Sequence, residues 1–287
     1  MFKRIIPRID IKGPNLVKGI CLEGLRVLGN PEYFSKLYYD SGADEIIYHD
    51  VVASLYDRKS ILPLIKKTSK NCFIPLSISG GIRSIRDIEN ILKNGGDKVF
   101  LNSAAIKNPK LIDQSIKAFG SSTIGISIEV STSPIGKKYV LYNYGREHSD
   151  KNLPDWISEV QDRGVGEISI TSVNHEGYGQ GMNLTLLEQI YDKINVPLIY
   201  HGGVGSLLDA YNILKYEKVN AISISSSFHY HEVLKKNYKY YENNEGNFSY
   251  LKEKKEKISF DTFTIPQLKK FLKSKGISVR LWGKLEL

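Results

Sequence analysis

Short apolar segments rich in Ile, Val and Leu alternate along the chain with amphipathic stretches of ten or more residues. Parallel strands that are buried on both faces have this composition, and crossover helices fill the intervals between them. The alternation gives eight strand-and-helix units. We predict strands at Arg4–Ile11, Glu45–Asp50, Phe73–Ser79, Lys98–Leu101, Thr123–Glu129, Glu167–Thr171, Pro197–His201 and Ala221–Ser225.

The intervening helices are predicted near 32–41, 57–70, 84–94, 108–119, 154–163, 183–194, 206–216 and 265–275. Asn30-Pro31 and Asn108-Pro109 precede the first and fourth of them, and Ser84 and Ser206 stand as N-caps of the third and seventh. Eight such units fit one closed barrel of about 250 residues. We therefore expect residues 1–287 to form a single α/β domain, a (β/α)8 TIM barrel.

The chain also repeats itself. Residues 78–105 align without a gap with residues 200–227 at an offset of 122, and nine of the aligned positions are identical. The same offset carries residues 42–46 onto residues 164–168. We interpret this as a barrel made of two duplicated half-barrels.

Each copy of the repeat carries a Gly-Gly pair between a strand and a helix, Gly80-Gly81 in the first and Gly202-Gly203 in the second. Such a turn lets backbone N–H groups and the helix N-terminus face an anion. The strand that follows ends in Asn102-Ser103 in one copy and in Ser225-Ser226 in the other. The pattern predicts two phosphate sites, and turn geometry alone is the alternative explanation for the glycines.

Four carboxylates lie where predicted strands end or in the loops after them: Asp10, Asp50, Glu129 and Glu176. In a parallel barrel these positions form the active face. Asp10 and Glu129 end the first and fifth strands, equivalent places in the two halves. We expect them to act as a general acid and base whose pKa values are separated by mutual repulsion. We expect Asp50 and Glu176 to bind substrate, and a loop-capping role is the alternative for Asp50.

Charged residues also lie where strands begin, at the opposite face: Arg4, Glu45, Lys98 and Glu167. From chemistry alone, a solvated ring of charges is the plain interpretation.

Residues 232–258 interrupt the alternation of strands and helices, since they are dense in Lys, Tyr, Glu and Asn. We interpret them as an insertion before the last helix, either a solvated loop or, because of its aromatic residues, an element that contacts a partner or covers substrate.

Composition narrows the class of protein. The net charge of +9 is spread along the chain and no nucleic-acid motif is present, so we predict anionic small substrates rather than nucleic acid. No apolar run approaches a membrane span, and the start lacks the features of a signal peptide, so we expect a cytoplasmic protein that binds no membrane. Cys21 and Cys72 are expected to be free thiols. The histidines share no metal-ligand spacing, and we predict neither a metal nor a cofactor.

Several motifs together resemble HisF, the cyclase subunit of imidazole glycerol phosphate synthase. They are RIIPRIDIKGPNLVKG, DEIIYHDVVAS, SISGGIRS, DKVFLNSAAIKNP, GEISITSVNHEGYGQG, HGGVGS, SSSFHY and GISVRL. In that family a barrel takes ammonia from a HisH-like glutaminase docked at the strand N-terminal face. It then cleaves and cyclises a bis-phosphorylated ribulosyl nucleotide to imidazole glycerol phosphate and aminoimidazole carboxamide ribotide. The resemblance implies that this chain is a lyase of histidine biosynthesis, working as a heterodimer.

The resemblance assigns roles to individual residues. Asp10 matches the family's first catalytic aspartate and Lys18 a lysine of its first loop. Arg4, Glu45, Lys98 and Glu167 match a charged gate for ammonia, and Asp97 a residue that faces the glutaminase. The phosphate sites match Gly81, Asn102, Ser103, Gly203, Ser225 and Ser226.

Three positions depart from the family pattern. Glu129 and Glu176 replace aspartates, each one methylene longer, and Tyr178 stands where threonine is usual. An extra methylene can misplace a general acid, because proton transfer needs contact within about 3 Å. The alternative hypothesis is therefore a HisF-like paralogue that channels ammonia to a nucleotide-sugar amidotransferase of surface-glycan biosynthesis. A third is the related barrel isomerase of the preceding step, which needs no ammonia gate.

Overall fold

The computed structural model describes residues 2–53, 61–235, 238 and 258–281. Eight parallel strands, each hydrogen-bonded to two parallel neighbours, close into a barrel, with helices on its outer surface. The predicted (β/α)8 fold is confirmed. The strands are β1 (Arg4–Lys12), β2 (Asn15–Ile20), β3 (Glu23–Gly29), β4 (Ile46–Asp50), β5 (Leu76–Ser79), β6 (Lys98–Leu101), β7 (Ile124–Thr132), β8 (Lys138–Tyr142), β9 (Glu147–His148), β10 (Glu167–Ser172), β11 (Leu198–His201) and β12 (Val219–Ile224).

The barrel consists of β1, β4, β5, β6, β7, β10, β11 and β12, and β12 pairs with β1 to close it. The helices are α1 (Pro31–Asp40), α2 (Leu62–Thr68), α3 (Ile85–Lys93), α4 (Ser103–Lys107), α5 (Lys110–Phe119), α6 (Leu153–Asp162), α7 (Leu184–Ile190), α8 (Leu207–Leu214), α9 (Ser226–Val233) and α10 (Ile265–Ser274). The side chains of Asn30, Ser84 and Ser206 cap α1, α3 and α8, as predicted.

The two halves of the barrel repeat in detail. Strands β5 and β11 occupy positions 122 residues apart in numbering, 76–79 and 198–201. After each strand the cap is built alike, because the Ser84 hydroxyl accepts from the N–H of Asp87 at 3.2 Å and the Ser206 hydroxyl from that of Asp209 at 3.1 Å. The repeat in the sequence is therefore a repeat of local hydrogen bonding.

Two antiparallel excursions were not predicted. Strands β2 and β3 form a hairpin that pairs with β1, and β8 and β9 form a ribbon that pairs with β7. Strand β5 also begins at Leu76 rather than at Phe73. Pro75 stands directly before it and has no N–H for a ladder bond, and Phe73 is 77% exposed.

The main core lies between the barrel and its helices. It consists largely of buried Ile, Leu and Val, with Trp156 of α6 as its largest side chain. A charged pair borders this core: buried Lys269 of α10 donates to Asp44 at 2.7 Å and to the Gly42 carbonyl at 2.7 Å. This lysine ties the last helix to the loop before β4.

The predicted insertion at 232–258 falls mostly outside the described residues. Its first two residues, Glu232 and Val233, belong to α9. Tyr238 donates a hydrogen bond to the Leu28 carbonyl at 2.9 Å, and its ring centroid lies 6.1 Å from that of Phe34. At least this aromatic residue of the segment is therefore packed against the end of β3 and against α1.

Candidate active site

Asp10 lies at the centre of the barrel mouth, between two cations. Its Oδ1 accepts from Arg8 Nε at 2.9 Å, and its Oδ2 accepts from Lys18 Nζ at 3.3 Å. Strand β2 pairs antiparallel with the end of β1, which brings Lys18 back over the mouth. All three side chains are buried. Burial works to raise the pKa of Asp10, but the Arg8 and Lys18 charges overcome it and hold that pKa well below its usual range.

Glu129 lies on the far side of the mouth, near the end of β7. Its carboxylate is 1% exposed and accepts from the N–H of Gly145 at 2.8 Å. Burial raises its pKa to about 7, although Arg8 acts in the opposite direction. The two carboxyl groups are therefore separated in pKa, as predicted, but repulsion is a minor cause. The cations around Asp10 and the burial of Glu129 account for most of the separation.

Glu176 holds the β2–β3 hairpin onto the mouth. One carboxylate oxygen is ion-paired with Lys18 Nζ, and the other accepts from the N–H of Leu22 at 3.2 Å. His201 Nε2 lies 3.8 Å from the same carboxylate. The sequence predicted substrate binding by Glu176, and in this arrangement both of its oxygens contact the hairpin or the mouth.

The duplicated glycine pairs occupy equivalent turns. Gly80, Gly81, Gly202 and Gly203 all have φ between +71° and +105°. A Cβ on Gly80 would lie 2.1 Å from the Asp50 carbonyl oxygen, and one on Gly203 would lie 2.1 Å from that of Gly181. Glycine is therefore required at these turns both for its backbone conformation and for the close approach of a neighbouring loop.

The space beside the two turns differs. A cleft of about 400 Å³ opens beside Gly80-Gly81 and is lined by side chains from the ends of β4 to β7. The pocket beside Gly202-Gly203 measures about 10 Å³, and it is lined by Glu176 and His201 among others. The two half-barrels thus have the same turn geometry, but the space open beside the turn is much larger in the first half than in the second.

The polar residues predicted beside the glycine turns have distinct partners. The Ser103 hydroxyl accepts from the N–H of Asn143 at 2.9 Å, and that of Ser225 donates to the Arg8 carbonyl at 2.9 Å. The Oδ1 of Asn102 is buried and has no hydrogen-bond partner among the described residues. Ser226 begins α9 and lines the small pocket. Asn102 thus presents an unused acceptor at the edge of the large cleft.

Asp50 lines the same cleft but also closes a local turn. Its Oδ1 accepts from the N–H groups of Val52 at 3.1 Å and Ala53 at 2.9 Å. This is the loop-capping arrangement that the sequence left open as the alternative.

Sequence reasoning missed three residues of the mouth: Arg8, His49 and Tyr144. Arg8 stands two residues before Asp10, so both side chains point to the same face of β1, and that period was the available signal. Burial, with the Arg8 charge second, lowers the pKa of His49 to about 3, which keeps it neutral. Tyr144 lies in the ribbon after β7, whose pairing no local pattern indicated.

At the opposite face the four charges at strand starts form a connected ring. Arg4 Nη1 lies 2.5 Å from Glu45 Oε2, and the same guanidinium is ion-paired with Glu167. Lys98 Nζ lies 2.5 Å from Glu167 Oε2 and 3.7 Å from Glu45 Oε1. Both glutamates are buried, whereas Arg4 and Lys98 are partly exposed. Asp97 is exposed beside the ring, and its carboxylate accepts from the N–H of Leu76 at 2.8 Å.

The barrel interior between the ring and the mouth is partly apolar. Five of its side chains form a small hydrophobic cluster: Ile6, Ile47, Phe100, Ile199 and Ala221. Buried Ser127 and Ser169, paired in register on β7 and β10, share inward-facing positions with Glu129 and Glu167. The Phe100 ring also forms part of the cleft lining, and it fits against β7 because residue 125 is glycine. A Cβ there would lie 2.5 Å from Phe100 Cε1. A line through the barrel therefore passes from the charged ring, past this apolar cluster, to the carboxylates and cations of the mouth.

Over the described ranges, no group of three or more His, Cys, Asp or Glu side chains is arranged to hold a metal ion. In the same ranges, every helix is too short or too polar to cross a bilayer. Cys21 and Cys72 are free thiols.

Comparison with known proteins gives one family. The family model described as "Histidine biosynthesis protein" matches residues 4–234. The "Imidazole glycerol phosphate synthase subunit HisF" of Legionella pneumophila is 46% identical over 204 residues, which is 71% of this chain and 96% of that protein. Proteins of the same name from Natranaerobius thermophilus and Dictyoglomus thermophilum are 38% and 37% identical, over 85% and 97% of this chain and 97% and 98% of their own lengths.

Proposed function

Because this chain belongs to the histidine biosynthesis protein family, among its HisF members, we propose that it is the cyclase subunit of an imidazole glycerol phosphate synthase. It is an enzyme of histidine biosynthesis. The reaction proposed is the ammonia-dependent cleavage and cyclisation of a bis-phosphorylated ribulosyl aminoimidazole nucleotide. The products are imidazole glycerol phosphate and aminoimidazole carboxamide ribotide.

The observation that carries this proposal is the pair of unlike carboxyl groups at one mouth. Glu129, with a pKa of about 7, can both give and take a proton near neutral pH, as a general acid or base must. Asp10 stays ionised between Arg8 and Lys18, so in this proposal it stabilises positive charge that develops on the substrate. Its catalytic role is electrostatic, and proton exchange belongs to Glu129.

The substrate's two phosphates would bind at the duplicated turns. The first lies against Gly80-Gly81 with the Ser103 hydroxyl and the donating NH2 group of Asn102, at the N-terminal end of capped α3. The second lies against Gly202-Gly203, with Ser225 and Ser226. Because the second pocket is small, binding there requires its lining loop, Glu176 to Gly179, to shift outward. Crystals soaked in phosphate should hold oxyanions beside both turns, on the same face of the barrel.

Ammonia would enter through the opposite face. In this proposal the ring of Arg4, Glu45, Lys98 and Glu167 is the gate, and a glutaminase subunit covers it. Phe2 and Phe73 lie just before β1 and β5 on that face and are 65% and 77% exposed, which suits a protein interface. Asp97 lies beside them. In this proposal ammonia, a small neutral molecule, then passes the apolar cluster inside the barrel to reach the mouth.

The test is a cyclisation assay with the ribulosyl substrate and an ammonium salt at pH 8. We expect turnover by the purified chain and loss of turnover in Asp10→Asn. Asp162→Asn, an exposed aspartate at the end of α6, is the matched control and should retain full activity. No turnover by the unaltered chain, or full turnover by Asp10→Asn, would overturn the proposal.

A second candidate is supply of ammonia to a nucleotide-sugar amidotransferase. It rests on Glu129 and Glu176, which replace the shorter aspartates of the family. The names of the relatives do not favour it, since each is a synthase subunit. Pull-down with a glutaminase and a sugar amidotransferase separates the two: retention of the amidotransferase without cyclisation supports this candidate, and robust cyclisation with the glutaminase alone argues against it.

A further inference from the structure

The turn between β8 and β9 crosses the large cleft in an unusual backbone conformation. Asn143, Tyr144 and Gly145 have φ values of +52°, +59° and +71°. Only the last of these is glycine, and a bulky residue such as tyrosine rarely adopts this region. Strain of this kind persists where the surrounding structure enforces it, and it concentrates at functional sites.

The contacts that enforce the turn both come from residues of the cleft. The N–H of Asn143 donates to the Ser103 hydroxyl at 2.9 Å, and the N–H of Gly145 donates to the Glu129 carboxylate at 2.8 Å. One end of the turn is thus fixed to an expected phosphate residue and the other to the proton-exchanging carboxyl group. The residue between them is Tyr144.

The Tyr144 side chain is directed into this site rather than to solvent. It is 5% exposed, its ring centroid lies 5.5 Å from that of His49, and it lines the cleft together with Glu129. Its hydroxyl is buried and has no hydrogen-bond partner among the described residues. A buried tyrosine hydroxyl normally has a partner. A strained backbone therefore holds an unused donor at the reacting end of the cleft.

We propose that Tyr144 is a further substrate-contacting residue, whose hydroxyl donates a hydrogen bond to a sugar or carbonyl oxygen of the ribulosyl substrate beside Glu129. This inference rests on the proposed function. Burial raises the pKa of Tyr144 above its ordinary value, so the hydroxyl keeps its proton and acts as a donor. The competing explanation is that Tyr144 only packs against His49 and closes the cleft wall.

Tyr144→Phe separates the two explanations because it removes the hydroxyl and keeps the ring. If the hydroxyl contacts substrate, we expect kcat/KM for ammonium-dependent cyclisation to fall by about 10- to 100-fold, the loss typical of one buried hydrogen bond to a reacting ligand. Tm should stay the same or rise, because an unsatisfied buried polar group has been removed. The control is Tyr142→Phe, a partly exposed phenol two residues earlier whose hydroxyl bonds to Glu147. It should leave kcat/KM unchanged.

A Tyr144→Phe variant within twofold of the unaltered chain in kcat/KM would overturn the inference, whatever its Tm. Failure of the proposed function would look different, because the unaltered chain itself would then show no turnover. In that case calorimetric binding of aminoimidazole carboxamide ribotide decides: weaker binding by Tyr144→Phe than by Tyr142→Phe supports the contact, and equal affinities refute it.

Discussion

Replacing Glu129 by Gln tests whether burial keeps this carboxyl group protonated near neutral pH. The ordinary pKa of a glutamate is 4.5, and burial raises that of Glu129 to about 7. The difference corresponds to roughly 3 kcal/mol, at about 1.4 kcal/mol for each pH unit. The side chain is buried, so solvent does not screen this cost.

The sign of the effect on stability follows from proton binding. Between pH 4.5 and about 7 the folded chain holds a proton on Glu129 that the unfolded chain has lost. Its contribution to stability is therefore fully present below pH 4.5 and is lost as the pH rises through about 7. The glutamine introduced by Glu129→Gln cannot ionise, and its side-chain oxygen can still accept from the N–H of Gly145. The variant should escape the loss.

The assay is urea unfolding of both proteins at intervals from pH 4.5 to pH 8. We expect the variant's free energy of unfolding, relative to the unaltered chain, to be near zero at the acidic end and to rise by roughly 3 kcal/mol toward pH 8. Glu89→Gln, on the exposed face of α3, should show no such rise. A pH-independent difference for Glu129→Gln would refute the reasoning. In the cyclisation assay the same variant should lose the inflection near pH 7 and about 100-fold or more in kcat/KM.

Three further changes, with Gly136→Ala as the control for one of them, test other parts of the molecule. Arg4→Ala opens the charged ring, so in the complex with a glutaminase we expect glutamine-dependent turnover to fall while ammonium-dependent turnover is retained; equal losses would contradict a gate. Gly203→Ala should weaken phosphate binding and lower the free energy of unfolding by about 2 kcal/mol or more, because its Cβ meets a carbonyl at 2.1 Å. Gly136→Ala, at a φ of +84° in open space, should cost only about 1 kcal/mol in the same urea titration, from backbone strain alone. Lys269→Met removes the buried cation beside Asp44 but leaves Arg280, whose Nε lies 3.2 Å from the same carboxylate, and it should lower the free energy of unfolding by about 2 kcal/mol; a loss under about 1 kcal/mol would mean that the Lys269 ion pair contributes little.

The barrel itself could be predicted because its signals are local. Each parallel strand is a short apolar run, and the caps at Ser84 and Ser206 mark where helices begin. The glycine turns could be predicted because they occur twice at one offset. A single Gly-Gly pair would have carried little information.

Only some of the partners within the mouth could be predicted, because others come from strands far apart in the chain. Arg8 and Lys18 reach the two oxygens of Asp10 through local structure, Arg8 from the same strand and Lys18 across the short turn between β1 and β2. Glu176 and His201, in contrast, approach from distant segments of the chain. The predicted cause of the raised pKa of Glu129, repulsion by Asp10, was wrong because burial is the larger cause. The strand pattern predicts that the two carboxylates share one mouth, but the burial of a side chain depends on everything packed around it.

The buried group at the mouth is electrically balanced when Glu129 holds its proton: Arg8 and Lys18 offset Asp10 and Glu176. These four buried charges at the mouth therefore exert little net electrostatic attraction on an approaching anion. The attraction must come from cations nearer to solvent, and Arg83 and Lys107 line the large cleft. Ionic strength should then slow capture of the substrate, since mobile ions shield exposed charges, while the proton affinities inside the mouth stay almost constant.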